Sequence, residues 1–515
     1  MFGHRDQTLT IPALVCVPCG LCVIPTMQRV TSGLMLIEVA TAHLPRSTPE
    51  AEGLSSQSIL DFLAAAVGQG PGQELHSLMI VRHGKVVAEG WWHPYGPERR
   101  HLLFSLSKSF ISSAIGIAIG EGLLGLDDKV ISFFPEETPP SPSENLSAMK
   151  VRHLLSMATG QSSEPWPNLD GRNSPDWVAS FLNHPVEFAP GTSFLYNSIA
   201  TFMLSAILQK LSGLTALEYL KPRLLEPLGI TEATWDRNPD GIVVGGWGMS
   251  ICTESIAKFG QLYLQDGVWD GQRLLPEGWV AEATQSHIDN GPNENADWGG
   301  GYGFQFWRCK HGCYRADGAF GQLCVVIPQC DMVVAITARV EFIHLTLDLV
   351  WDHLLPAAQK GELPENAEAL TELRRQLEGL TVRGPEGVTM LRLEAMITGR
   401  TYEGESRDLG SMRWAFAADG CNLTFTFKGE KVLIVAGRNA WKFGRWEYDF
   451  DRRQPVAAWG SWSAPNAYMI CLQYLEEPGS TVFTAVFDGD RVLVTTHLRG
   501  RFVDPVGPSF EGLTT

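Results

Sequence analysis

Two stretches of strand-forming sequence lie far apart in this chain, and any fold has to bring them together. The first, HSLMIVRHGKVVAEGWW at 76–92, alternates around HGK, with Gly84 supplying a turn, and reads as a hairpin. The second, between 302 and 340, holds YGFQFWRC, GCYRADG, GQLCVVIP and MVVAITARV, short runs rich in β-branched and aromatic residues and broken by Gly and Pro. The remaining periodic text is helical. Ser55 and Ser56 precede an apolar period of three and four residues and predict a capped amphipathic helix. TFMLSAILQKLSG and TESIAKFGQLYLQDG each combine a helical period with a closing glycine, and KVRHLLSMATGQ reads as a helix ended by Gly160. An early hairpin, a helical middle and a return to strands predict an α+β domain: one antiparallel sheet built from both ends, with helices packed against it.

After a charged helix at 365–380, ENAEALTELRRQLEGL, the text changes character. NLTFTFKG, KVLIVAG, STVFTAVFDG and RVLVTTHL recur with turn signals between them, the pattern of a small all-β sandwich or barrel. The expected organisation is therefore a leader or tail at 1–45, a sheet-and-helix domain at 46–357, a helical linker at 358–386 and a β-rich accessory domain at 387–515. LTIPALVCVPCGLCVIP has the length of a signal-peptide core, but its three prolines and Glu38 oppose that reading. The chain is expected to be cytoplasmic, with secretion as the alternative if that stretch is a signal peptide. Cys16, Cys19 and Cys22 within it read as apolar thiols rather than a metal site, since no second cluster stands nearby.

Charge excludes one class of partner. A net charge of −17 over 515 residues, with no basic run to track a phosphate backbone, argues against nucleic acid. Beyond the leader no stretch of 18 apolar residues predicts a membrane span. The histidines form no His-x-x-x-His pair, so no zinc hydrolase and no metal is expected. His83 and His93 read as surface or packing residues. GGWGMS at 245–250 lacks the strand-to-helix context of a dinucleotide fingerprint and reads as a loop near a pocket, with Trp247 a wall of it.

The chemistry concentrates at FSLSKSF, 104–110, just before the apolar run ISSAIGIAIGEGLLGL. Ser105 and Lys108 stand three apart, so one helical turn puts the amine within reach of the hydroxyl. Serine becomes a nucleophile only when something takes its proton, and lysine does so only when burial lowers its pKa from about 10.4. The apolar helix supplies that burial, and its N-terminus supplies amide donors for a developing oxyanion. Ser107 and Ser109 fall at other angles, which favours Ser105.

FSLSKSF, GLLGLDDKVISFFPE, VRHLLSMATG, PGTSFLYNSIATFMLSAILQKLSG, GGWGMSICTESIAKFGQLYLQDGVWDGQRLLPEGWV and YRADGAFGQLCVVIP follow one another in an order that resembles the serine hydrolases of the class C β-lactamase and penicillin-binding-protein family. Within it the sequence is most similar to the branch of 6-aminohexanoate-dimer hydrolases and esterases, over roughly residues 49–355. The resemblance implies a β-lactamase-like sheet flanked by helices, Ser105 as nucleophile, Lys108 as its partner and Tyr196 as a proton relay. Ser198 stands where the family more often has Asn, although Asn197 is adjacent. Ala316-Asp317-Gly318 stands where β-lactamases have a cation, so Asp317, Gly318 and the amide of Ala319 are the expected substrate and oxyanion contacts, and Arg315 is the adjacent charge. The implied activity is cleavage of a small-molecule carboxylic ester or amide without cofactor or metal. β-Lactam or D-amino-acid peptide hydrolysis, acyl transfer to an alcohol, and a non-catalytic binding protein are the alternatives. The sequence leaves the oligomeric state open.

Overall fold

The computed structural model describes residues 43–514 other than 71, 167–175, 292–296, 405–408, 448–452 and 503–504. The N-terminal cysteines and the signal-like stretch lie outside the described residues.

The two distant strand regions form one six-stranded sheet. Its strands are β1 (Gln73–Arg82), β2 (Lys85–Trp91), β3 (Trp307–Arg308), β4 (Tyr314–Gly318), β5 (Gln322–Ile327) and β6 (Met332–Val340), in the spatial order β2-β1-β6-β5-β4-β3. The first strand pairs antiparallel with the last, Leu78 opposite Ile336, which closes the domain's two ends onto each other. The β1–β2 turn uses His83 (φ 49°) and Gly84 (φ 73°), two consecutive left-handed residues whose twist suits a tight hairpin.

The central strands are buried on both faces, so they read as continuous apolar runs. Met79, Val81, Cys324, Val326, Val333 and Ala335 face one core. Their neighbours Leu78, Ile80, Leu323, Val325, Val334 and Ile336 face another. Of the long helices, α1 (Ser56–Gly68) and α5 (Ala367–Glu378) cover the second face, while α2 (Ser107–Gly120), α3 (Ser198–Ser212) and α4 (Thr253–Leu264) cover the first. Helix α1 is capped as expected, the Ser55 hydroxyl accepting the Gln57 amide at 3.2 Å.

Two local expectations fail, and tertiary hydrogen bonds explain both. The helix expected to run to Gly160 spans only Val151–Leu155. Met157 takes a left-handed conformation (φ 57°), and its carbonyl accepts the Leu195 amide at 2.9 Å, which ties this turn to the Tyr196 segment. YGFQFWRC contributes only the two residues of β3. Gln305 is left-handed (φ 65°), and its side-chain amide donates to the Leu154 and Leu155 carbonyls at 3.1 and 2.8 Å while its oxygen accepts from Thr201 at 2.7 Å. Those bonds stitch the segment between α3 and the short helix and preclude strand pairing.

The C-terminal strands form a barrel. They are β7 (Thr401–Gly404), β8 (Leu409–Ala417), β9 (Gly420–Phe427), β10 (Glu430–Arg438), β11 (Lys442–Trp446), β12 (Gln454–Ala464), β13 (Ala467–Tyr474), β14 (Ser480–Asp488), β15 (Arg491–Arg499) and β16 (Phe510–Thr514). Nine of them run in the order β10-β9-β8-β7-β16-β15-β14-β13-β12 and close where β10 pairs with β12, Gly437 opposite Trp459 and Arg438 opposite Gly460. Closure removes the free edges that an open sheet would expose. The barrel shares a core with the sheet: Trp441, Ala457, Cys471 and Leu475 pack in the same cluster as Leu78 and Ile336. Polar contacts add to it. Gln473 donates to Glu74 at 2.7 Å, Tyr95 to the Tyr474 carbonyl at 3.1 Å, and the Leu102 amide to the Glu476 carbonyl at 2.7 Å.

Candidate active site

Ser105 sits in a single 3-10 turn, Phe104–Leu106, that runs directly into α2. Lys108, one turn on, donates from Nζ to Ser105 Oγ at 3.0 Å, to Ser198 Oγ at 3.2 Å and to the Gly246 carbonyl at 2.6 Å. Its side chain is 1% exposed. Burial among apolar helices pushes its pKa down to about 7, against the pull of Glu164 and Asp317, which favour the charged form. The other two hydroxyls of the motif have structural work. Ser107 Oγ accepts the Met249 amide at 3.1 Å, and Ser109 Oγ donates to the Gln305 carbonyl at 2.6 Å. Only Ser105 faces the lysine.

Tyr196 precedes α3 and is stacked on Trp307 with ring centroids 5.5 Å apart. Lys108 Nζ lies 4.7 Å from its ring centroid, and its phenol is close enough to Ser105 for that hydroxyl to act on its pKa. Burial, with Asp317 adding to it, raises the phenol pKa well above its usual value, so the ring keeps its proton. Asn197, the alternative to Ser198, is engaged elsewhere: it caps α3 through the Ala200 amide at 3.0 Å and donates to Gln161 at 2.8 Å. Ser198 opens α3 and turns its hydroxyl to the lysine.

Strand β4 supplies the third side. A Cβ built on Gly318 would lie 1.9 Å from the Leu103 carbonyl oxygen and 3.1 Å from the Ser105 amide nitrogen, so only glycine lets the strand end approach the serine turn this closely. Ala319 follows at the turn into β5, its carbonyl accepting from Gln322 at 3.1 Å. Arg315 does not replace the missing cation as a free charge. It is buried, donates from Nε to Asp317 at 2.7 Å and from Nη1 to the Asp297 carbonyl at 2.7 Å, and lies 4.7 Å from the Trp298 ring. Burial works against its charge, and the Asp317 carboxylate offsets that, with the neutral Cys309 sulfur accepting from Nη1 at 3.1 Å.

Sequence reading missed Glu164. Its carboxylate accepts the Ser198 amide and, at 2.7 Å, the Trp166 indole N–H, and it acts on the charge of both Lys108 and Tyr196. It lies in a loop without period or motif, and only the tertiary fold brings it to the N-terminus of α3. Trp247 packs against two other indoles, 5.4 Å from Trp166 and 6.0 Å from Trp177 between centroids. Its neighbour Gly246 proves the more consequential residue, through the carbonyl that holds the lysine.

A buried amine with a pKa near neutrality, 3.0 Å from a serine hydroxyl, can take that proton at physiological pH. Among the described residues no group of three or more His, Cys, Asp or Glu side chains is arranged to hold a metal ion, and no single helix is long and apolar enough to cross a membrane.

An open antiparallel sheet whose first strand pairs with its last, with a serine-lysine turn beside the end of an edge-proximal strand, is the architecture of a hydrolase class, and its sequence relatives agree. The chain belongs to the beta-lactamase family, whose sequence profile matches residues 64–342. It is 25% identical over 280 residues to the 6-aminohexanoate-dimer hydrolase of Paenarthrobacter ureafaciens, covering 50% of this chain and 71% of that one. It is 25% identical over 180 residues to the D-aminopeptidase of Brucella anthropi, covering 32% of this chain and 33% of the relative. A solved structure described as a putative beta-lactamase from Bacteroides dorei shares the fold, with a TM-score of 0.50 at 16% identity over 58% of this chain and 99% of that chain.

Proposed function

We propose that the protein is a serine hydrolase that cleaves a carboxylic ester or small amide through an acyl-enzyme on Ser105. The observation that carries this reading is the 3.0 Å contact between a buried, near-neutral lysine and Ser105 Oγ. In the proposed cycle Lys108 accepts the serine proton as Oγ attacks the carbonyl carbon. The amides of Ser105 and Ala319 take the developing oxyanion. Tyr196, which keeps its proton, passes one to the leaving oxygen or nitrogen, and Lys108 returns its proton through the phenol. Water then attacks the acyl carbonyl, with the same groups working in reverse, and frees the acid and Ser105.

Ser198 and Gly246 hold the amine toward Oγ and act as positioning residues. Asp317, paired with Arg315, presents a carboxylate and a buried guanidinium where β-lactam-binding relatives present an accessible cation, which supports esters and small amides over β-lactams. Kinship with a dimer hydrolase of 6-aminohexanoate keeps a small amide in the substrate class.

The test is covalent labelling. A fluorophosphonate should add one phosphonyl mass to the intact protein, located by peptide mapping to Ser105, and Ser105→Ala should abolish both label and ester turnover with unchanged circular dichroism. Full turnover in that variant would overturn the assignment. Initial rates rank the substrates: short aryl esters should exceed a chromogenic cephalosporin in kcat/KM, and the reverse order would make β-lactam hydrolysis the better reading.

A further inference from the structure

Two aromatic residues bracket the proposed reacting atoms in an unfavourable backbone conformation. Phe104, immediately before Ser105, has φ 48°, and Phe320, immediately after Ala319, has φ 64°. A bulky residue with a Cβ adopts the left-handed region only where the surroundings hold it there, and such residues gather at functional sites. Here the conformation sets the two rings edge to face, 5.4 Å apart at 68°. Both rings are only partly covered.

The third ring comes from the barrel. Phe502, on the connection between β15 and β16, lies 5.8 Å from Phe104 and 5.0 Å from Phe320 between centroids. It is 76% exposed, so burial in a core does not explain its position. The connection is pinned at its base, the Leu498 amide donating to the Pro505 carbonyl at 2.8 Å and the Gly507 amide to the Thr496 carbonyl at 3.0 Å. The neighbouring Arg501 lies 4.4 Å from the Tyr474 ring and pairs with Glu477. A clamped connection thus presents an exposed apolar ring to two others that flank the nucleophile and an oxyanion donor.

We infer that Phe104, Phe320 and Phe502 form an apolar wall that binds a hydrophobic substituent of the substrate, so that the barrel takes part in substrate selection. The inference rests on the acyl-enzyme reading of Ser105. The substrate class it adds is an ester or small amide with an aryl or medium-chain alkyl group next to the scissile bond. Such a group covers ring surface that is otherwise in water, which is the ordinary source of affinity in an apolar pocket.

The experiment compares the full-length protein with Phe502→Ala and Phe502→Leu, using p-nitrophenyl acetate, butyrate and hexanoate for the acyl side and phenyl, butyl and methyl acetates for the alcohol side. Phe502→Ala should lower kcat/KM progressively with the size of the substituent along one series, with a loss about tenfold greater for its largest member than for its smallest. Phe502→Leu, which keeps apolar area, should restore much of that preference. Labelling of Ser105 by a small fluorophosphonate serves as the control for an intact nucleophile. Losses independent of substituent size in both series, or no loss in either, would overturn the wall while labelling persists. An unaltered protein that takes no label would overturn the Ser105 reading, and this inference with it.

Discussion

Two basic side chains are buried near the same turn, Lys108 and Arg315, and the protein treats them in opposite ways. Lys108 is surrounded by two hydroxyls and a carbonyl, with Glu164 and Asp317 close enough to act on its charge but not among its hydrogen-bond partners. Arg315 has a carboxylate at 2.7 Å on its own strand, a carbonyl at 2.7 Å and an indole ring beneath it. Burial is nearly complete for both, so burial alone does not decide whether a buried cation gives up its proton. The partner decides. Neutral oxygens leave the amine near the midpoint of its titration, whereas a paired carboxylate and a side chain that does not deprotonate fix the charge. The first arrangement suits proton transfer and the second holds a strand end in place.

Replacing each cation by Met should therefore give opposite phenotypes, and this is the largest effect expected. Lys108→Met should cost about 10²–10⁴-fold in kcat/KM, the range of a general base, without lowering stability. Arg315→Met strands the Asp317 carboxylate in the interior and should cost about 3–5 kcal/mol, read as a lower urea midpoint. Equal losses of stability in the two variants would erase the distinction.

A double-mutant cycle sharpens the lysine side. If Lys108 and Tyr196 handle one proton together, Lys108→Ala and Tyr196→Phe should each remove most of the activity, and the combined variant should lose little more. A simple product of the two losses would mean independent roles. Near-normal turnover in Tyr196→Phe would reduce the tyrosine to a packing partner of Trp307.

The arginine side has a milder counterpart. Arg315→Met combined with Asp317→Leu removes both charges and should recover most of the stability lost in the single variant, since a buried pair exchanged for apolar groups is often neutral. Failure to recover would mean that the Asp297 carbonyl and the Trp298 ring contribute more than the ion pair.

The same contrast explains what could be read from sequence. The pairing of Ser105 with Lys108 was legible because it is local: three residues on one turn dictate the contact. The sheet was legible because its strands are long and apolar, as in MVVAITARV, every residue of which is buried. Helical period and turn signals likewise marked α3 and α4 and the strands of the barrel. Contacts set by distant hydrogen bonds were not legible. Gln305 breaks an apparent strand because its partners are Leu154, Leu155 and Thr201. Glu164 and Gly246 reach the lysine only through tertiary structure. The role of Arg315 was half legible, since proximity to the motif was plain but its engagement with Asp317 and Asp297 was not.

The finest prediction concerns Glu164 and the pH profile. If Lys108, at about 7, works as the neutral amine proposed above, kcat/KM should rise with pH through that value. Stability should follow linkage: between about 7 and the usual 10.5 the unfolded lysine holds a proton that the folded one has lost, so this residue's contribution to stability rises with pH across that window and is flat below it. Lys108→Met should lack that slope. Glu164→Gln removes a negative charge that favours the ammonium, so the kinetic limb should move to lower pH, while the amide oxygen can still accept the Ser198 N–H that the carboxylate now takes. The shift is smaller than any effect above because burial, the larger influence on Lys108, is untouched. A limb that stays in place in Glu164→Gln would mean that the carboxylate serves only to accept the first amide of α3, and a limb displaced to higher pH would contradict the electrostatic account of the lysine.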